Sequence, residues 1–600
     1  MGRACAVHGR ERSLSLMQHR RAACALFMSF LLVACGGGGG GDSGGSAPPP
    51  PTVIEKPATR GDAARFLNQA TFGATDADID RVMSVGYAAW IDEQLALPAT
   101  SHRTHWEARD VEIKAATPTS GAGQDQVIES FWKQAVSGND QLRQRAVFAL
   151  SQIFVISMQD STVSDNTRAV AAWLDMLGNQ GLGNYRDLLE SVSRHPMMGV
   201  YLSHLRNQKA NAATGRVPDE NYAREVMQLF SIGLVELNED GSAKTASGAA
   251  IDTYAPADVA GLARVFTGWS WACPDWPDNN CFFSGSNAGV SDPDRSFKPM
   301  LGYPQYHSTE EKKFLGTTIA AQTTADPTAS LRVALDALAN HPNVGPFIGR
   351  QLIQRLVTSN PSPTYVRDVA RVWANNGAGV RGDLKAVIKA VLMHPEARTQ
   401  SDTSGKLREP VLRLAHFMRA FGAKSDTGYF RVGNTDNPGT ALGQTPMRSP
   451  SVFNFYRPGY TAPGTNSAGR GLVAPELQIV NETSTAGYVN FMRDNVSQGV
   501  GAFNGTVGGV VLNRRDIQLD YAGEIAVATD AAALVDRVLG KLSYGQTSAA
   551  LRTEIVGAVN AIVVPAPTAT NAAAVETAKR NRVYAAVLLV LASPEYAILK

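Results

Sequence analysis

The sequence has little net charge, few cysteines and, after residue 34, no long hydrophobic run. Its 56 lysines and arginines nearly balance 54 aspartates and glutamates, so the formal net charge of +2 gives no reason to expect a nucleic-acid partner. No segment after residue 34 reaches the roughly 18 apolar residues of a membrane-spanning helix, so we expect a water-soluble body. The chain lacks a P-loop, a dinucleotide-binding fingerprint after a strand, a haem CxxCH and a zinc knuckle, and we predict no cofactor.

The first 34 residues are predicted to be a lipoprotein signal peptide. A basic flank at His19-Arg20-Arg21 precedes an apolar run from Ala22 to Val33, which is too short for a mature membrane-spanning helix. The run ends in Leu32-Val33-Ala34-Cys35, which is similar to the bacterial lipobox, where the cysteine becomes the diacylated first residue of the mature protein. A plain cleaved signal peptide with an incidental cysteine is the alternative.

Lipidation of Cys35 would attach the protein to a membrane through more than one acyl chain, which holds far better than a single chain. Gly36 follows the cysteine and favours the outer membrane. We therefore predict a bacterial cell-envelope lipoprotein whose body faces the periplasm or the exterior. Loss of residues 1–34 removes five arginines and one glutamate, so the mature net charge of −2 further weakens the case for an anionic partner.

Only two cysteines remain for the mature body. Cys5 and Cys24 leave with the signal peptide and Cys35 carries lipid, which leaves Cys273 and Cys281, eight residues apart. In an exported protein this pair favours a disulfide. A zinc pair is the alternative, but no CxxC and no nearby histidine supports it.

Residues 35–59 form a glycine- and proline-rich tether. Ser43 within it matches GxSxG, but a flexible linker supplies neither a base nor an oxyanion hole, so we interpret it as linker. A main helical domain is predicted for 60–475. A C-terminal helical region, 476–600, is predicted to pack on it.

The fold class predicted is mainly α, a multi-helix globular body with a few short β-hairpins and two long irregular loops. The loops are residues 268–310 and 423–475, and hairpins are expected near Asp240-Gly241 and within 500–528. Sustained alternation of strands and helices is absent, which argues against a doubly wound sheet. Apolar periodicity predicts helices at 141–157, 166–178, 184–193, 218–237, 256–267, 329–340, 343–357, 363–375, 381–393, 406–421, 530–542, 547–563 and 574–592.

Several motifs occur in order along the chain. They are Arg65-Phe-Leu-Asn-Gln-Ala-Thr-Phe-Gly73, Asp140-Gln-Leu-Arg-Gln-Arg-Ala-Val-Phe-Ala-Leu-Ser-Gln152, His195-Pro-Met-Met-Gly-Val-Tyr-Leu202, Pro218-Asp-Glu-Asn-Tyr-Ala-Arg-Glu-Val-Met-Gln-Leu-Phe230, Ala263-Arg-Val-Phe-Thr-Gly-Trp269, Leu356-Val-Thr-Ser-Asn-Pro361 and Pro450-Ser-Val-Phe-Asn-Phe-Tyr456. Together they resemble one bacterial family, the domain of unknown function 1800. The resemblance covers roughly residues 62–600. It implies an exported bacterial protein but no established activity. Genes of the family often lie beside one for a secreted sulfatase-like protein, which suggests a partner.

The best candidate for chemistry is the segment Pro218-Asp219-Glu220-Asn221-Tyr222-Ala223-Arg224-Glu225. Proline suits the first turn of a helix, and Glu220 and Arg224 are spaced to pair. Apolar residues follow on nearly all faces, so Glu220 and Glu225 are expected at the margin of a core. There they could act as general acid and base or as cation ligands. The alternative is a structural network in which Arg224 neutralises one glutamate.

Histidine could join these acids. His195 precedes a proline, and His204 lies nine residues later. If either histidine lay near Glu220 and Glu225, a mixed metal site would follow, but no HExxH or HxH motif fixes this, and metal content stays unknown. Capping or packing at helix ends is the alternative role for these histidines.

The first irregular loop is rich in aromatic residues, and a sugar or peptide groove would use their flat faces. The alternative is that this loop, held by the disulfide, only covers the helical core. The candidate ligand-binding residues are Trp269, Trp271, Trp276 and Tyr303.

Three functions remain open at this point. The favoured one is an envelope scaffold that presents a partner, such as the sulfatase-like protein. The second is an envelope hydrolase acting on a polysaccharide or other polymer through Glu220, Glu225 and His195. The third is a metal-binding protein that uses the same residues.

Overall fold

Side-chain caps and prolines set the starts of many helices in the computed structural model, which describes residues 55–399, 401, 404–503 and 505–600. Thr59 and Asp62 form a reciprocal capping box at the first helix. Asp326 and Ser362 each cap a helix whose first residue is proline. The signal peptide, Cys35 and most of the tether lie outside the described residues.

The first part of the fold is entirely helical and contains two of the most buried helices, α5 and α6. Helix α4 packs on α5 and α8, and α6 packs on α3 and α8. The helices are Arg60–Ala70 (α1), Asp76–Val85 (α2), Tyr87–Ala96 (α3), His102–Ala116 (α4), Gln124–Ser137 (α5), Gln141–Ser151 (α6), Ser161–Ser164 (α7), Thr167–Gln180 (α8), Tyr185–Arg194 (α9) and Pro196–Tyr201 (α10).

The middle of the chain adds helices on both sides of the first irregular loop. Helix α15 packs on α16 and α17, and α11 packs on α12. The helices are Asn221–Gln228 (α11), Pro256–Val265 (α12), Asn279–Ser284 (α13), Pro327–Asn340 (α14), Val344–Leu356 (α15), Pro363–Ala374 (α16), Leu384–Met393 (α17), Pro395–Arg398 (α18) and Pro410–Ala420 (α19). A 3-10 turn covers Pro304–Tyr306.

The C-terminal helices contact the earlier part directly, since α23 packs on α19. All described residues belong to one compact unit, and the proposed boundary at residue 475 stays a prediction. The helices are Asn466–Gly469 (α20), Glu482–Gln498 (α21), Ala522–Val527 (α22), Ala531–Leu542 (α23), Ala549–Asn560 (α24), Ala572–Leu591 (α25) and Pro594–Ala597 (α26), with a 3-10 helix at Pro475–Ile479.

Strands are two or three residues long and occur as antiparallel pairs in the described part of the chain. The pairs within hairpins are Thr245–Ala246 (β1) with Ala249–Ala250 (β2), Ser286–Asn287 (β4) with Val290–Ser291 (β5), Lys312–Phe314 (β7) with Thr317–Ile319 (β8), and Thr506–Val507 (β11) with Val510–Val511 (β12). The long-range pairs are Trp269–Ser270 (β3) with Leu301–Gly302 (β6), Lys406–Leu407 (β9) with Ile598–Leu599 (β14), and Lys424–Ser425 (β10) with Ile517–Gln518 (β13).

The prediction of a mainly α fold is confirmed, with 26 α-helices among the described residues. Predicted helices at 166–178, 363–375 and 530–542 are observed within two residues at each end. The helix predicted from residue 406 begins instead at Pro410, because residues 406–407 pair with the C-terminal strand. None of the helices in the described ranges is both long and apolar enough to cross a membrane.

The prediction of one helix over 218–237 is wrong, because α11 ends at Gln228. The Ser231 hydroxyl donates to the carbonyl of Val226, and Gly233 follows in the left-handed region at φ +73°. The Asn343 side chain then donates to the carbonyls of Ile232 and Val235, at 2.9 and 2.7 Å. Apolar periodicity continues past Gln228, but the backbone there is held by these side chains and by non-helical backbone hydrogen bonds, such as that from Glu236 N–H to the carbonyl of Ile251 at 2.8 Å.

Candidate functional site

The acidic segment before α11 is held in a turn. Asp219 accepts the backbone N–H of Asn221 at 2.8 Å and the Ser203 hydroxyl at 3.1 Å, while its own N–H donates to Asn207. These contacts satisfy the backbone where the helix starts, as short polar side chains commonly do. Asp219 therefore has a structural role in the described contacts.

Glu220 and Arg224 form an ion pair on the surface of α11. Arg224 Nη2 lies 3.2 Å from Glu220 Oε2, and each side chain is 45% exposed. Exposed pairs one helical turn apart contribute at most about 0.5 kcal/mol, since water screens them. The predicted pairing of Arg224 with a glutamate is present, and it involves Glu220.

Glu225 lies one residue further and points to a different environment. The residue is only 8% exposed, and its Oε2 has no hydrogen-bond partner among the described residues. Burial raises the pKa of the Glu225 carboxyl, and the Arg224 charge only partly opposes this. Burial therefore favours the neutral form of this carboxyl more than water would.

His195 is a buried helix cap. Its Nδ1 accepts the N–H of Met197 at 3.2 Å, which starts α10, and its ring meets Trp173 edge-on at 5.0 Å. Burial lowers the pKa of His195 to about 3, so the imidazole is neutral at neutral pH.

His204 belongs to a buried cluster with Tyr222 of α11. Its Nε2 donates to the carbonyl of Ser193 at 2.8 Å, and its ring stacks on Tyr222 at 3.9 Å. The Tyr222 hydroxyl donates to Ser193 Oγ at 2.6 Å. Burial lowers the pKa of His204 to about 4. In the ranges that the structure describes, no group of three or more His, Cys, Asp and Glu side chains is arranged to hold a metal ion.

The aromatic loop contains a disulfide between Cys273 and Cys281. Trp269 and Tyr303 are buried, and Tyr303 belongs to a buried cluster with both cysteines and donates its hydroxyl to the carbonyl of Trp271 at 2.8 Å. Trp271 is partly buried. Trp276 is 45% exposed and donates its Nε1–H to Gly302 at 2.9 Å. Of the four predicted ligand-binding residues, Trp269 and Tyr303 are therefore buried, Trp271 is partly buried and Trp276 is exposed.

Sequence reasoning missed a cavity of about 420 Å³ beside the end of α11. Four segments distant in the chain line it, residues 152–153, residues 228–241, residues 347–355 on α15 and residues 452–459. Its wall is mostly apolar, and it contains arginine and glutamine but no aspartate or glutamate. Because α11 ends at Gln228, the non-helical residues that follow it form one side of this cavity. Glu225, one turn earlier, does not line it.

A buried ionic network lies behind the cavity and shares Gln152 and Arg355 with its wall. Lys406 Nζ lies 2.9 Å from Glu476 Oε1 and 3.9 Å from Glu409 Oε1. Glu409 Oε2 accepts the side-chain amides of Gln152 and Gln444, at 2.6 and 2.7 Å.

Two arginines complete the network. Arg145 Nη2 donates to the carbonyl of Arg355 at 2.6 Å, and Arg355 Nη2 donates to the carbonyl of Gln152 at 3.0 Å. Both arginines, Lys406 and the two glutamates are buried. The network ties α6, α15, β9, the start of α19 and the 3-10 helix at 475–479 together.

The fold and the site together define a mainly α-helical protein with a disulfide-bonded aromatic loop and an apolar cavity that contains arginines. A family model described as "Protein of unknown function (DUF1800)" matches residues 65–598, and the chain belongs to this family. The match confirms the resemblance drawn from the motifs. No curated protein and no solved structure matches the chain.

Proposed function

We propose that this protein is an envelope-anchored lipoprotein whose folded body presents a docking surface to a protein partner. The observation that carries the proposal is the exposure of large apolar side chains on the aromatic loop, residues 268–310, which contains the disulfide. Trp276 and Phe283 are 45% and 47% exposed, and Val290 on the adjoining hairpin is also exposed. Aromatic side chains dominate the energetics of protein interfaces, and a disulfide holds this segment in place.

The N-terminal sequence supports the anchoring half of the proposal. A lipid on Cys35, followed by a flexible and then stiff tether, would attach the body to the outer membrane and leave it facing the periplasm or exterior. The partner we propose is the secreted sulfatase-like protein that the family resemblance suggests. The proposed activity is presentation of that partner.

An envelope hydrolase is the second candidate, and Glu225 is the observation that favours it. A buried carboxyl with a raised pKa is suited to act as a general acid. Against it, Glu220 pairs with Arg224 on the surface, and neither Glu225 nor His195 lines the cavity beside α11. The acids and the histidine thus have separate environments, which favours the scaffold.

Replacing Phe283 by serine is expected to reduce recovery of the sulfatase-like partner at least tenfold, because truncating a central aromatic of an interface removes about 2 kcal/mol or more. The measurement is crosslinking in native envelopes, affinity capture of the lipoprotein and quantification of the partner by mass spectrometry. Phe503→Ser is the matched control, since Phe503 is 59% exposed and lies outside the disulfide loop.

Phe503→Ser and Glu225→Gln should both leave recovery unchanged. Equal recovery with Phe283→Ser and with the unaltered protein would contradict the docking surface. Loss of recovery with Glu225→Gln, with the fold intact by circular dichroism, would instead connect the partner to the α11 segment.

A further inference from the structure

The cavity beside α11 combines an apolar wall with arginines, two of which make no ion pair among the described residues. Leu229 and Val235 line one side of the cavity. Phe347 of α15 lines it as well, together with Val452 and Phe453 of the second irregular loop, residues 423–475. Its volume of about 420 Å³ lies in the range of small-molecule sites. The apolar part of a ligand would be removed from water against this wall, which favours binding.

Three arginines line the cavity, and two of them have no acidic partner. Arg350 and Arg457 are exposed, and among the described residues neither side chain makes an ion pair. The Arg457 guanidinium rests on the ring of Phe453, 4.7 Å from its centroid. Solvent-accessible arginines beside an apolar cavity are suited to bind a planar anion.

The third arginine, Arg355, is buried and belongs to the ionic network behind the wall. Its Nε has no hydrogen-bond partner in the part of the chain that the structure describes. The network holds three cations, Arg145, Arg355 and Lys406, against two anions, Glu409 and Glu476. With all five groups ionised, this network carries one positive charge in excess, which a single negative charge would balance.

From the apolar wall, the unpaired arginines and this single excess charge, we propose that the cavity binds an amphiphilic carboxylate, a molecule with one carboxylate end and an apolar chain. A carboxylate carries one negative charge and matches arginine bidentately. A phosphate monoester carries about −1.5 to −2 at neutral pH, more than the excess. This site goes beyond the proposed presentation of a partner and does not depend on it.

Decanoate is the probe, and decanol is its uncharged counterpart of equal chain length. In isothermal titration calorimetry with the full chain carrying Cys35→Ser, which needs no detergent, decanoate below its micelle concentration should bind one site per chain. Decanol should bind at least tenfold more weakly, because it lacks the charge-assisted hydrogen bonds to arginine. Decyl phosphate and a decapeptide of apolar residues with a free carboxyl end are the competing probes.

Arg350→Gln should weaken decanoate binding about tenfold, because one charge-assisted contact is lost. Arg332→Gln is the matched control, since Arg332 is an exposed helical arginine outside the cavity, and it should have no effect. Gly459→Trp should abolish binding, because Gly459 lines the cavity and a Cβ there meets nothing within 4 Å. Gly469→Trp, at an equally open glycine outside the cavity, should bind normally.

The proposal is overturned by absence of decanoate binding, by equal binding of decanol, or by decanoate binding that Gly459→Trp leaves intact. Tighter binding of decyl phosphate would overturn the assignment of the head group. Tighter binding of the peptide would overturn the assignment to a small amphiphile and assign the cavity to a chain terminus.

Discussion

Replacing Lys406 by methionine is expected to lower the free energy of unfolding by about 3–5 kcal/mol, the usual cost of removing one partner from a buried ion pair. Methionine keeps much of the side-chain volume but leaves Glu476 and Glu409 buried without their shared cation. Burial already raises the pKa of Glu476, and loss of Lys406 would raise it further. The loss of unfolding free energy caused by Lys406→Met should therefore be smaller at pH 5 than at pH 8, because Glu476 takes up a proton more readily at the lower pH.

Urea denaturation followed by circular dichroism at both pH values measures this effect. Lys385→Met is the control, because Lys385 is exposed on α17, and its effect should stay within about 0.5 kcal/mol. A loss below about 1 kcal/mol for Lys406→Met at pH 8 would show that the network does not hold these segments together.

Acid should destabilise the protein strongly between pH 6.5 and pH 4.5. Burial lowers the pKa of His195 to about 3 and that of His204 and His307 to about 4. In the unfolded chain these histidines take up protons near pH 6.5, whereas in the folded protein they stay neutral. Because the unfolded state binds more protons, stability falls as the pH falls, by about 2 kcal/mol per histidine at pH 5.

His195→Asn tests the contribution of one histidine. Asparagine is a favoured helix cap and can replace the acceptor for Met197, but it does not titrate. The variant loses packing on Trp173 at every pH, so the informative quantity is the difference in unfolding free energy between pH 7 and pH 5. That difference should be smaller by about 2 kcal/mol than in the unaltered protein, and an unchanged difference would contradict a neutral buried His195.

Local signals predicted much of this fold. Proline after His195 and after His394 marks the end of one helix and the start of the next, and the structure shows both histidines as caps. Cysteine counting favoured the pair Cys273 and Cys281, which is bonded. The helix caps and the disulfide depend on residues that are close in the chain, so both can be predicted from the sequence.

The cavity and the network depend on residues far apart in the chain, and no periodicity indicates them. Arg145 and the carbonyl of Arg355 are 210 residues apart in sequence, and Gln152 and Glu409 are 257 apart. The apolar residues after Gln228 predict a longer helix, because a cavity wall and a buried helical face have the same composition. The acidic segment was located correctly as a helix start, but its sequence does not show that Glu220 is exposed and Glu225 buried.

Mass spectrometry of the N-terminal peptide of the protein purified from its native envelope tests the anchored lipoprotein most directly. The expected peptide begins at Cys35 and carries the mass of a diacylglycerol thioether with an acylated amino group. A peptide that begins upstream of Cys35, or an unmodified Cys35, would contradict an anchored body and the presentation of a partner at the membrane.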